Sequence, residues 1–210
     1  MKVIAINGSP NGKGNTYHSL EIVSNELRKQ NIEVEIIHIG NKVIRGCLAC
    51  GKCSENQNEQ CIIKDEVNNI LQKIKEADGL LIGAPVHFSG INGTMKSFLD
   101  RLFYVNSSNG NFLRHKVGAA VVAVRRSGGV ATFNGLNHYL QFSEMMIPTT
   151  NYWNVIHGTA PGEATQDAEG VQALTILGEN MAWLMKLVEA GKEKIQPPVK
   201  KDKIYTSFIR

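Results

Sequence analysis

Cys47, Cys50, Cys53 and Cys61 are the only cysteines in the chain, and they stand in the pattern C-x2-C-x2-C-x7-C. Thiolates are soft metal ligands. Three of them at steps of three residues wrap around one point, which is how a single segment holds a cubane [4Fe–4S] cluster. Structural zinc more often uses two C-x2-C knuckles separated by a longer stretch, and no second knuckle exists here. Free or pairwise-oxidised thiols are the other reading. Gly46 and Gly51 relieve crowding around the sulfurs.

A second candidate for chemistry is Gly8 to Thr16, GSPNGKGNT. Glycines at 8, 12 and 14 let the backbone come close to an oxygen-rich group. A helix that starts just after them offers unpaired N–H groups and a positive dipole end. Ser9, Asn15 and Thr16 add side-chain donors. The spacing fits neither GxGxxG nor GxxxxGK[ST]. Phosphate binding is favoured over an ordinary glycine-rich turn.

Two further loops carry unusual residues. Pro85, Val86, His87, Phe88, Ser89 and Gly90 place a rigid proline, an imidazole and an aromatic ring beside a hinge. That set suits a planar heterocycle, or else a loop packing its rings inward. Arg125, Arg126, Ser127, Gly128 and Gly129 put two cations at a glycine turn, suited to an anionic or electron-rich ring or to a charged surface turn. Lys96, Asp100 and Arg101 read as helix-surface charges forming an i,i+4 pair.

These loops need elements to position them. Lys2 to Asn7 (KVIAIN) reads as a strand buried on both faces. A helix with Leu20, Val23 and Leu27 on one face follows. Glu33 to Ile39 is the second strand. Asp65 caps the next helix, and Gly79 to Ala84 is a third strand stopped by Pro85. A helix over 93–103, a strand over 116–125, a helix over 131–145, a strand over 151–156 and a helix from about 167 to 191 complete the series. Five strands, each followed by a helix, imply a parallel sheet with helices on both faces. In such sheets ligands sit at the carboxyl ends of the strands, and all three loops follow strands. Trp153 and Trp183 read as core or interface residues.

Length and composition agree. The 210 residues suit one domain. At 42% hydrophobic and 20% charged residues the chain is neither disordered nor membrane-spanning. A net charge of +4 is too small, and too scattered, to argue for nucleic acid. No export signal is read at MKVIAINGSP, so the expected compartment is the cytoplasm. The expected division is one domain over 1–194, with a cysteine-rich excursion at 46–62, and an extended tail over 195–210.

In that order and spacing, GSPNGKGNT, APVHFSGINGTMKSFLDR and RRSGG resemble the NAD(P)H-dependent FMN reductase group of the flavodoxin-like superfamily. Gly162, Glu163, Asp167 and Gly170 extend the likeness towards the last helix. The compact cysteine run resembles its iron-sulfur flavoprotein branch. The resemblance implies a flavodoxin-like three-layer α/β sandwich built on a five-stranded parallel sheet. It implies that Ser9, Gly14, Asn15 and Thr16 bind the FMN phosphate. Pro85, Val86, His87 and Phe88 would hold the flavin ring, with Arg126, Gly128 and Gly129 flanking it. Cys47, Cys50, Cys53 and Cys61 would hold the cluster. His87 departs from the pattern, since relatives often carry tyrosine there, and an imidazole titrates near neutral pH.

The function so implied is an oxidoreductase. Electrons would pass from NAD(P)H or a reduced carrier through FMN, and by way of the cluster, to a quinone, flavin or oxygen-type acceptor. The alternatives are an electron-transfer module fed by ferredoxin and, less favoured, a non-redox phosphate-binding or zinc-stabilised regulator. A homodimer or homotetramer is expected, with no nucleic-acid or membrane partner.

Overall fold

The computed structural model describes residues 1–209. The chain begins with β1 (Lys2–Asn7), α1 (Asn15–Lys29) and β2 (Glu33–His38). The cysteine segment then carries a short helix, α2 (Lys52–Asn56), before α3 (Glu66–Glu76) and β3 (Gly79–His87). β4 (Gly90–Ile91), α4 (Gly93–Ser108), β5 (Val117–Val124) and α5 (Gly129–Phe142) follow. β6 (Val155–His157), a 3-10 turn (Glu163–Gln166) and α6 (Ala168–Gly191) complete the domain.

The strand order is β2-β1-β3-β5-β6, with β4 beside β3 and off that path. All pairs along the path are parallel, from Val3↔Val34 on one flank to Ala123↔Ile156 on the other. The order reverses between β1 and β3, where a crevice opens at the carboxyl ends of the strands. Side chains alternate across the sheet as the pleat requires. Ile4, Ile6, Leu80, Ile82 and Val122 enter the core under α3, α4 and α5. Val3, Ala5, Leu81, Val121 and Ala123 enter the core under α1 and α6. Two-sided burial is why these strands read as unbroken apolar runs.

The sheet has six strands, not the expected five. β3 does not stop at Pro85, which pairs with Ala123 inside the ladder. It continues to His87 and turns back antiparallel as β4, with Val86↔Ile91 and His87↔Gly90 paired. Phe88 (φ 47°) and Ser89 (φ 60°) form the two-residue turn, both left-handed. Such turns usually announce themselves as Asn-Gly or Asp-Gly, so Phe-Ser left no signal. The last strand is shorter than expected, running only over Val155–His157, and Asn154 just before it also bonds to β5. Its side chain donates to the Ala120 carbonyl at 3.0 Å, and its own carbonyl accepts from Val122 N–H at 2.9 Å. Trp153 and Trp183 are exposed, not core.

Asp65 caps α3, accepting from Val67 N–H at 3.1 Å, and Asp167 caps α6, accepting from Gly170 N–H at 3.0 Å. Among the described residues no helix is long and apolar enough to cross a membrane. Beyond α6 the described residues of the tail form no helix or strand. Arg114 donates to the Pro198 carbonyl at 3.0 Å and Lys200 to the Gly110 carbonyl at 3.0 Å, so the tail follows the surface. Residue 210 lies outside the described residues.

Candidate functional site

The first loop is closed by its own hydrogen bonds. Ser9 N–H donates to Asn7 Oδ1 at 3.1 Å, and Asn11 N–H donates to Ser9 Oγ at 3.2 Å. Asn7 Nδ2 donates to the Gly12 carbonyl at 3.1 Å. From the neighbouring strand, His38 Nε2 lies 2.7 Å from the Ser9 carbonyl oxygen. Gly40 passes so close that an added Cβ would stand 1.9 Å from that same oxygen. Only glycine allows this approach.

Gly14 caps α1 without a side-chain hydrogen bond, and no acidic residue stands in the first turn. The first N–H groups of α1 therefore stay available at the positive end of its dipole. A cleft opens there. Ser9, Asn11, Gly14, Asn15 and Thr16 line one side, and Pro85, Val86, Ala123, Val124 and Arg125 another. Gly158, Thr159 and Pro161, from the loop after β6, close it. The lining contains N–H and hydroxyl donors and a guanidinium but no carboxylate, which is the chemistry of an anion site. Asn15 also ties the helix start to the last loop, its Oδ1 accepting from Ala164 N–H at 3.1 Å. Glu163 braces that loop by accepting from Thr159 and Ala160 N–H at 2.7 and 2.8 Å.

Ser9, Gly14, Asn15, Thr16, Pro85 and Val86 thus come together in one cleft. His87 and Phe88 do not line it; they are exposed on the hairpin, with Phe88 at the turn. Arg126, Gly128 and Gly129 line an adjoining hollow with Tyr152, Trp153, His157 and Asp167. Gly128 joins the third loop to the second. At φ +87°, its added Cβ would lie 2.7 Å from Ser89 Cα and 2.9 Å from Val86 Cγ1.

Sequence reasoning named Arg125 with its loop but carried only Arg126 to the flavin, and it missed Gly158 and Thr159 as lining residues. Arg125 and Arg126 are neighbours at a strand end, where successive side chains leave on opposite faces; counting outward from β5 could have separated them. Gly158 and Thr159 also follow a strand, so the carboxyl-edge rule already covered them.

The four cysteines surround a second hollow, which they share with Leu48, Ile62, Tyr104, Val105 and Arg101. Little regular structure holds this segment; side chains from α3, α4 and the C-cap of α4 do. Asn68 clasps Cys61 twice, accepting from its N–H at 2.8 Å and donating to its carbonyl at 2.9 Å. Asn109 donates to the Cys53 carbonyl at 3.1 Å and accepts from Glu59 N–H at 2.9 Å. Gln72 donates to the Glu59 carbonyl at 3.0 Å. Ala49 N–H donates to Cys47 Sγ at 3.4 Å, a contact that stabilises a thiolate. The chain turns through left-handed residues at Ala49, Gly51, Gln57 and Glu59.

Among the described residues no three His, Cys, Asp or Glu side chains converge on a single ion. A thiolate-ligated group asks for several cysteines around one space, and the hollow is lined by all four cysteines with the Arg101 cation beside them. The residues fit such a group. The expected i,i+4 pair is Lys96–Asp100 alone, at 2.5 Å. Arg101 points inward to Asp65 instead.

A doubly wound sheet with its order reversing beside a phosphate-type cradle defines a flavodoxin-like protein. The chain belongs to the NADPH-dependent FMN reductase family, whose model matches residues 1–160. FMN-based redox chemistry is the activity of that family. The chain is 35% identical over 196 residues to an iron-sulfur flavoprotein of Methanocaldococcus jannaschii, covering 90% of this chain and 100% of that one. Solved structures agree on the fold. RosB with bound 8-demethyl-8-formylriboflavin-5'-phosphate has a TM-score of 0.74 at 18% identity, covering 100% of this chain and 94% of that one. A flavodoxin from the domain Archaea has a TM-score of 0.58 at 18% identity, covering 89% and 99%.

Proposed function

We propose that the chain is an FMN oxidoreductase that takes electrons from NAD(P)H or a reduced carrier and passes them, by way of a [4Fe–4S] cluster, to a quinone, flavin or oxygen-type acceptor. The observation that carries this reading is the carboxylate-free cleft, rich in N–H and hydroxyl donors, at the N-terminus of α1 and at the reversal of strand order. Ser9, Gly14, Asn15, Thr16 and Arg125 would hold the flavin's phosphate. Pro85 and Val86 would give its ring an apolar wall, with His87 and Phe88 on the hairpin and Arg126, Gly128 and Gly129 in the adjoining hollow as its rim. Cys47, Cys50, Cys53 and Cys61 would hold the cluster, a reading supported by the name of the Methanocaldococcus relative.

Bound FMN supplies both two-electron and one-electron chemistry; the protein's part is to bind, orient and tune it. No side chain need act as nucleophile. Exposed Trp183 and Leu187 on α6 support a homodimer or homotetramer, which light scattering would check.

The test is an anaerobic visible spectrum of the purified protein with iron and acid-labile sulfide assays, followed by mixing with NADH, NADPH or reduced ferredoxin. Flavin bands with about four irons per chain, bleached by a nicotinamide nucleotide, are the expected result. Bleaching by ferredoxin alone would replace the enzyme reading with an electron-transfer module. No flavin uptake on incubation with FMN would overturn the central proposal.

A further inference from the structure

We infer that Arg101 is the positioning residue of the cysteine hollow: it ties the excursion at both ends and sets a fixed cation against the hollow that the four cysteines line. The inference rests on the cluster reading just proposed.

The Arg101 side chain is wholly buried, and a buried cation is costly unless paired and hydrogen-bonded. It forms a two-pronged pair with Asp65 at 2.6 and 2.7 Å. The same guanidinium donates to the Ile63 carbonyl at 3.2 Å and, more weakly, to the Arg45 carbonyl at 3.4 Å. Arg45 precedes Cys47, and Ile63 follows Cys61. One side chain on α4 therefore fastens both the entry and the exit of the cysteine segment. Lysine has no planar fork to do this.

One donor is left over. Arg101 Nε is buried and has no hydrogen-bond partner in the protein. An unpaired charged donor is expensive, so its persistence points to an acceptor. Arg101 lines the hollow together with all four cysteines. A site ligated by four thiolates gains negative charge on reduction, and a fixed cation favours the more negative form.

The test uses the full-chain holoprotein, reconstituted anaerobically, in a redox titration followed by electron paramagnetic resonance. Iron content and decay of the visible band in air are read on the same samples. Arg101→Gln is expected to shift the reduced-to-oxidised ratio at fixed poise about tenfold towards oxidised, about 59 mV for one electron. Asp65→Asn keeps a good helix cap and removes the opposing charge, so its shift runs the other way. Arg101→Lys is expected to keep most of the wild-type potential but lose its band in air at least threefold faster.

Arg101→Gln and Asp65→Asn that both keep the wild-type potential would overturn the inference. Should Arg101→Gln fail to fold or load, Asp65→Asn decides: an unchanged or lowered potential overturns it. Wild-type protein that takes up no iron or sulfide sinks the cluster reading and this inference together. A loaded wild type with indifferent variants sinks this inference alone.

Discussion

The carboxyl edge of the sheet and the cysteine excursion are both built to hold a group, by opposite means. At the sheet edge, strand register does the positioning. β1, β3 and β5 deliver their loops to one crevice, and backbone groups supply the donors. In the excursion almost no regular structure exists beyond the five residues of α2, so side chains do the positioning. Asn68 and Gln72 reach in from α3, Arg101 from α4 and Asn109 from the C-cap of α4. A backbone-built site is robust to side-chain exchange and intolerant of added volume. A clamp-built site is the reverse.

The sharpest break of that contrast uses volume at the sheet edge. Gly40→Ala puts a methyl 1.9 Å from the Ser9 carbonyl oxygen, which belongs to a loop held on both sides. The expected cost is about 3 kcal/mol of global stability in urea unfolding, with at least a tenfold loss of FMN affinity. Wild-type stability would mean the loop yields freely. Removing a clamp comes next in size. Asn109→Ala unpairs the Cys53 carbonyl and Glu59 N–H, at about 1–3 kcal/mol. The loss should be local, as faster hydrogen exchange over 53–59 and lower iron content with FMN affinity unchanged. An equal loss of FMN binding would show that the two regions are not built separately.

A pH scan separates them again, with a smaller effect. The Arg101 guanidinium holds the Asp65 carboxyl below the usual carboxylate range. A depressed carboxylate contributes stability above its unfolded value of about 3.9, and that contribution fades as pH falls through the lower folded value. The thermal midpoint of wild-type apoprotein should therefore drop on the acid side of about pH 4. Asp65→Asn should flatten that limb while lowering the midpoint at pH 7. A variant limb parallel to wild type would show that other carboxylates control acid unfolding.

The same contrast explains what the sequence revealed. Strands buried on both faces announce themselves by composition, so β1, β3 and β5 and their order along the chain were legible. Loops that follow strands were legible as ligand loops for the same reason. The β3–β4 hairpin was not, because Phe88 and Ser89 adopt left-handed backbone without the usual Asn-Gly signal. The cysteine spacing showed a ligand set but not what holds it. Asn68, Asn109 and Arg101 reach the excursion by tertiary contacts, and nothing in their local spacing distinguishes them from surface polar residues. Arg101 was hidden further by Lys96 and Asp100, which form the surface pair it appeared to belong to.

The smallest expected effect bears on a place where resemblance and geometry part. The resemblance carries Arg126 to the flavin, whereas Arg125 lines the cleft beside Ser9 and Thr16 and Arg126 lines the hollow beyond Gly128. Both arginines are exposed, so solvent screens either charge and neither substitution should be severe. Arg125→Ala should weaken FMN binding about fivefold, near 1 kcal/mol, and the loss should shrink in high salt as a phosphate contact requires. Riboflavin, which lacks the phosphate, should bind that variant and wild type alike. Arg126→Ala should leave FMN affinity within twofold and alter, if anything, the KM for the electron donor. The reverse pattern would return Arg126 to the cofactor and mean that the third loop closes over the cleft once FMN is bound.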